Sequence, residues 1–168
     1  MNALGVEIIA TEGTAKALER EGIPVTRTSS LTGFREMLGG KVKTLHPAIH
    51  KAIGTAEIGL VAVNFPPLHA PSELDVGGVT LLLSAVRNPA VAILVQPRQY
   101  APVVDELKRR KGEISAETRC KLANEAVEYL TRYVFYVRAC FRLLYGSKTA
   151  NSNSKIKRQE ISMKHVLG

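Results

Sequence analysis

Residues 77–111, GGVTLLLSAVRNPAVAILVQPRQYAPVVDELKRRK, set the architecture of this chain. Val79 to Arg87 is apolar and follows directly on a glycine pair, which predicts a buried helix with its N-terminus at Gly77-Gly78. Val91 to Val95 (VAILV) is the clearest strand signal in the sequence. Pro97 then opens a helix that runs to about Lys111, because a proline ring pre-sets the dihedral of a first helical position. Val103, Val104 and Leu107 share one face of that helix. Helix, strand and helix in this alternation point to a parallel α/β sheet.

Upstream, Gly5 to Ala10 (GVEIIA) is a short apolar run that ends at Thr11-Glu12-Gly13-Thr14, after which Ala15 and Leu18 have helical spacing: strand, turn, helix. Gly22-Ile23-Pro24-Val25-Thr26 supplies a turn and a second short strand. Ile58 to Val63 reads as another strand, behind a loop that contains the lysine-rich segment Gly40-Lys41-Val42-Lys43-Thr44-Leu45-His46-Pro47. Downstream, Ser115 is an N-cap and Glu117 lies in the first turn of one long helix. Leu122, Ala126, Tyr129, Leu130, Tyr133, Val137, Phe141 and Leu144 mark its apolar side. At helical spacing these aromatic residues belong to a core or a dimer face rather than to a base-stacking platform. Gly146 ends the helix, Ser147 to Ser154 is polar and linker-like, and nothing after it builds a domain. The expected division is therefore a domain over 1–146 and a polar remnant over 147–168.

With 168 residues, 45% of them hydrophobic, the chain suffices for one domain with a real core. No apolar run approaches the roughly 20 residues that span a bilayer, and the N-terminus shows neither a basic leader nor a cleavage signal, so a soluble cytoplasmic protein is expected. The formal charge of +8 favours anionic partners without choosing among them. Its clusters, Lys108-Arg109-Arg110-Lys111 and Lys155 to Arg158, have no interleaved aromatics for base stacking, which reads as solvated surface and argues against nucleic acid. Cys120 and Cys140 lie roughly 30 Å apart on one helix, too far to pair, and read as free thiols.

Several segments carry candidate chemistry. Thr11 to Thr14 sits where a strand gives way to a helix, so it either receives a phosphate on free backbone N–H groups or is an ordinary tight turn with an N-cap. Glu12 opposes the first reading, because a carboxylate aimed into the turn repels an anion. Lys41 and Lys43 alternate in direction if the segment is extended, Thr44 offers a hydroxyl, and Pro47 fixes the exit. Leu45 and Val42 imply that the segment is partly buried, although a solvated basic loop stays open. His46 and His50 have the spacing of a two-histidine zinc face, but with no third ligand they do not make a metal site. Asp75, ahead of Val76-Gly77-Gly78, either completes the dipole of the following helix or orients a nucleophile where the glycines admit a ligand to the backbone.

Taken in order, Gly5 to Thr11, Gly13-Thr14-Ala15, Gly22 to Val25, Leu31-Thr32-Gly33-Phe34, Val42 to Pro47, Leu74 to Gly78 and Ser115 to Arg119 resemble the IMP cyclohydrolase domain of the bifunctional purine-biosynthesis protein. The match covers most of residues 4–145. The Gly13-Thr14 turn is common to the wider methylglyoxal-synthase-like fold, whereas Val-Lys-Thr-Leu-His-Pro with a downstream Asp-Val-Gly-Gly is much more specific. The resemblance implies a three-layer, Rossmann-like parallel sheet with a long C-terminal helix. It also implies ring closure of a formylated aminoimidazole carboxamide ribotide to IMP with loss of water and without a cofactor.

By the same resemblance, Thr11, Gly13 and Thr14 hold the phosphate, and Lys41, Thr44, Leu45 and Asn64 surround the nucleotide. Lys43 sits at the reacting groups, and Asp75 engages the carboxamide nitrogen that attacks the formyl carbon. Backbone at Val76, Gly77 and Gly78 lines the base. Arg87 stands where the family has a second catalytic lysine, Pro66 where it has a tyrosine hydroxyl, and Glu12 where it has a glycine. The chain starts beyond the family's first strand and its Ser-x-Ser-x-Lys phosphate loop. Another element or chain is therefore expected to fill that place, or the true start lies upstream. Residues 160–164 resemble the approach to a transformylase domain, which implies a separate transformylase chain as a partner, and the family pairs as homodimers. A catalytically weakened purine-nucleotide-binding or regulatory module is the alternative reading.

Overall fold

The structure, a computed structural model, describes residues 5–34, 37, 43–65 and 73–149, with side chains through 143. The elements follow in the order β1 (Ile9–Ala10), α1 (Glu12–Arg20), β2 (Thr26–Arg27), α2 (Thr28–Thr32), α3 (Pro47–Gly54), β3 (Leu60–Ala62), α4 (Val76–Val86), β4 (Ala92–Leu94), α5 (Tyr100–Arg109) and α6 (Ala116–Thr149). A 3-10 turn, Pro97–Gln99, leads into α5. Among the described residues the strands form two parallel ladders. In the first, Ile9 is opposite Thr26 and Ala10 opposite Arg27; in the second, Leu60, Val61 and Ala62 face Ala92, Ile93 and Leu94. The parallel α/β architecture and the long C-terminal helix are as the sequence predicts.

β4 organises the core. Every residue from Val91 to Val95 is at most 4% exposed, so the strand is covered on both faces, as parallel strands between helices are. Because side chains alternate, Val91, Ile93 and Val95 pack with Ile49, Ile53, Val61, Val63, Leu82 and Ala85, while Ala92 and Leu94 turn to Val103, Leu107 and Leu122. α6 contributes to both sides, Ala126 to the first cluster and Leu122 to the second.

Polar ties fix the helices on this core. The Asn88 side-chain amide donates to the carbonyls of Ile53 (2.8 Å) and Gly54 (3.0 Å), satisfying the last turn of α3 from the end of α4. Buried Gln99 accepts from the N–H groups of Val95 (2.7 Å) and Gln96 (2.9 Å) and donates to Glu125 on α6 (2.8 Å). The Glu106 carboxylate accepts from the Ser115 N–H (2.8 Å) and the Thr118 hydroxyl (2.7 Å). These bonds, the Thr118 hydroxyl first, hold its pKa down to about 2.

Two sequence expectations need correction. The stretch between Thr26 and Ile58 is not only loop: it contains α2, ended by Gly33 in a left-handed conformation (φ 70°), and α3, with Pro47 in its first turn. Nor does Gly146 end α6, which continues to Thr149. One glycine costs about 1 kcal/mol relative to alanine, less than is needed to stop a helix already propagating. Among the described residues no helix is long and apolar enough to cross a membrane.

Candidate functional site

The sharpest local geometry lies at the start of α4. Asp75 is its N-cap, and the Asp75 Oδ1 accepts the Gly78 N–H at 2.8 Å, so the carboxylate lies across the first turn rather than extending into solvent. Gly77 and Gly78 are buried. A Cβ on Gly78 would stand 2.6 Å from Asp75 Oδ2 and 2.9 Å from a ring carbon of Phe65, which makes glycine a steric requirement of this turn. Of the two readings that the sequence left open for Asp75, the cap is what the fold displays, and the glycines hold it against the backbone.

Phe65 follows β3 and is the middle of an aromatic stack. Its ring lies 3.9 Å from that of Tyr133, at 18°, and 5.2 Å from that of Tyr129, at 2°. The Tyr129 hydroxyl accepts the Phe65 N–H at 2.9 Å, and the Tyr133 hydroxyl accepts the Asp75 N–H at 3.1 Å. Burial, above all, raises the Tyr133 pKa, which keeps the phenol neutral. Sequence reasoning placed both tyrosines in a core or dimer face and gave Phe65 no role. Their spacing of one helical turn was the available signal, but nothing in it named the loops they hold.

α3 and α4 run side by side in the same direction. His50 Nδ1 meets the Ser84 hydroxyl at 2.7 Å, and Ile53 and Gly54 meet Asn88. By that offset the first residue of α3, Pro47, lies level with Leu81, within α4 rather than at its Asp75 end. Thr44 is buried and Leu45 exposed. His46 caps α3, its Nδ1 accepting the Ala48 N–H at 3.2 Å, and its ring lies 5.3 Å from Phe34. The two histidines thus face different partners. Lys41 lies outside the described residues, as does Pro66.

Thr11 is the extended N-cap of α1, without a side-chain bond to the helix. Gly13 and Thr14 are exposed in the first turn. Glu12 is not aimed bare into this turn: it accepts from the Ser29 hydroxyl at 2.8 Å and pairs with Arg27, which also holds Glu19. The Ser29 bond, followed by Arg27, keeps its carboxyl below the ordinary range. The Asn64 amide donates to the Tyr100 hydroxyl at 2.7 Å. Arg87 is the exposed C-cap of α4. About 18 Å of helix axis separates it from Asp75, so one chain does not bring these two together.

Asn64 and Phe65, the Asp75 turn and Gln96 lie just beyond β3 or β4 or at the helix N-terminus between them. That is where open parallel sheets place ligands. The N-terminus of α4 brings backbone N–H groups to this end, and Asp75 supplies an acid. The MGS-like domain family model matches residues 1–88, more than half of the chain. The chain belongs to the MGS-like domain family. The AICARFT/IMPCHase bienzyme model matches residues 85–166 of this MGS-like chain.

Among individual proteins, the bifunctional purine biosynthesis protein PurH of Elusimicrobium minutum is 36% identical over 163 residues, covering 79% of this chain and 32% of its own length. Its counterpart from Persephonella marina is 36% identical over 174 residues, covering 87% of this chain and 34% of its own. The MGS-like chain thus spans about a third of the length of these curated relatives. A crystal structure of ForH superposes with a TM-score of 0.73 at 32% identity, covering 83% of this chain and 86% of ForH.

Proposed function

We propose that this MGS-like domain is an IMP cyclohydrolase, closing the ring of a formylated aminoimidazole carboxamide ribotide in purine nucleotide biosynthesis. The observation that carries the reading is the Asp75 turn, a carboxylate strapped over two buried glycines beside Phe65. In the proposed reaction the carboxamide nitrogen adds to the formyl carbon as Asp75 accepts its hydrogen bond. Lys43 stabilises the oxygen that gains charge; the C–O bond then breaks as a C=N bond forms to the former formamide nitrogen, and the oxygen leaves as water carrying one proton from the carboxamide nitrogen and one from the formamide nitrogen. No redox partner is required. Val76, Gly77 and Gly78 line the base, Thr44, Leu45, Lys41 and Asn64 flank the ribotide, and Thr11, Gly13 and Thr14 receive its phosphate.

Mixing the purified chain with the formylated ribotide and following IMP absorbance tests this, with a rate above the uncatalysed one expected. We extend the reading to a cytoplasmic homodimer working with a transformylase supplied in cis or by a separate chain. Arg87 enters the proposed chemistry only across such a dimer, given its distance from Asp75 within one chain.

A second reading, a weakened purine-nucleotide-binding module, is favoured by Glu12, an acid in the first turn of α1 that engages Arg27 and Ser29 and so takes a cation from any phosphate there. Pro66→Tyr separates the two. Restoring an oxyanion donor is expected to raise turnover by roughly 100- to 1,000-fold in a surviving site, and an unchanged rate favours the binding module.

A further inference from the structure

We infer that Tyr133 is a positioning residue for the reaction, holding Asp75 in place from α6; the inference rests on the cyclohydrolase reading above. The Asp75 N–H precedes the first turn of α4 and has no helical acceptor, and the Tyr133 hydroxyl takes it at 3.1 Å. The same ring stacks on Phe65 at 3.9 Å, and Phe65, together with the Asp75 carboxylate, closes the space around Gly78. Tyr133 therefore acts on the carboxylate from two directions, through its backbone and through the ring that closes its glycine turn. Tyr133 is 8% exposed and continues the α6 face that buries Leu122 and Ala126, so the helix packing itself aims its ring and hydroxyl at Phe65 and the Asp75 turn. Tyr129, one turn earlier, makes the parallel bond to Phe65 and touches Asp75 only through that ring.

Tyr133→Phe keeps the stack and deletes the bond to Asp75; Tyr129→Phe deletes the bond to Phe65. For Tyr133→Phe, kcat is expected to fall roughly 10- to 100-fold with KM and thermal midpoint little changed, as for a small misplacement of a reacting group. Tyr129→Phe is expected to retain most of its kcat. Equal kcat for wild type and Tyr133→Phe, or losses that follow the thermal midpoints of both variants, overturn the assignment. If the wild type shows no turnover, the cyclohydrolase reading fails, and the amide resonances of Asp75 and Gly78 then test the positioning. They are expected to shift in Tyr133→Phe and stay in place in Tyr129→Phe, and unmoved resonances in Tyr133→Phe overturn it.

Discussion

At the scale of single residues, the site depends on what glycine leaves out. Gly78→Ala places a methyl group 2.6 Å from Asp75 Oδ2 and 2.9 Å from Phe65, so the carboxylate and the ring must both give way. The expected outcome is a loss of about 1–3 kcal/mol in a denaturant titration, as for other overpacked positions. Turnover should fall further than that stability loss explains. Asp75→Asn keeps an oxygen that can accept from Gly78, so it is expected to fold normally while losing on the order of 100-fold or more in rate. The Asp75 turn was legible in the sequence because its determinants are local: an acid, then two glycines, then an apolar run. Phe65 was not, since its partners come from α6, 64 positions away along the chain for Tyr129, and no local pattern encodes that contact. Arg87 shows the converse. Its chemistry was readable, but only the length of α4 reveals that it lies far from Asp75.

Elements are joined here by buried polar ties, and one of them titrates. Glu106 links α5 to the first turn of α6, with a folded pKa near 2 against an ordinary carboxyl value of 4.5. Because the folded value is the lower one, the unfolded state binds the proton more readily. The contribution is fully present above about pH 4.5 and is lost as pH falls toward 2. Thermal midpoints measured from pH 5 to pH 2.5 should therefore fall less steeply in Glu106→Gln than in the wild type, from a lower starting value at pH 7. Local signals again mark what sequence reading reaches. Ser115 was expected at the start of α6 and its hydroxyl does accept the Thr118 N–H at 3.2 Å. α3 was missed although Pro47 and His46 mark its start, because the lysines ahead of it drew the segment toward a loop. Gly146 misled because helix ends are set by cooperativity as well as by the residue present.

Across the whole molecule, β4 ties the fold to the site: its buried run packs against α3, α4 and α6, and the last two carry Asp75 and Tyr133. Ile93→Ala, at a position with no exposed surface, is expected to cost about 2–5 kcal/mol in chemical denaturation. Below its lowered midpoint it should still retain the wild-type KM, because it touches no proposed ligand group. The parallel α/β class was legible from residues 77–111, since a wholly apolar strand between two helices has few other solutions. The arrangement of α3 beside α4 was not, because it depends on the Asn88 and His50 contacts made only after folding. Whether Asp75 takes part in closing a purine ring is read from IMP formation from the formylated ribotide by wild type and Asp75→Asn side by side. The wild type is expected to turn over, and a folded Asp75→Asn protein to lose on the order of 100-fold or more in rate. Equal rates in the two proteins, or a wild type that binds the ribotide and forms no IMP, would contradict it.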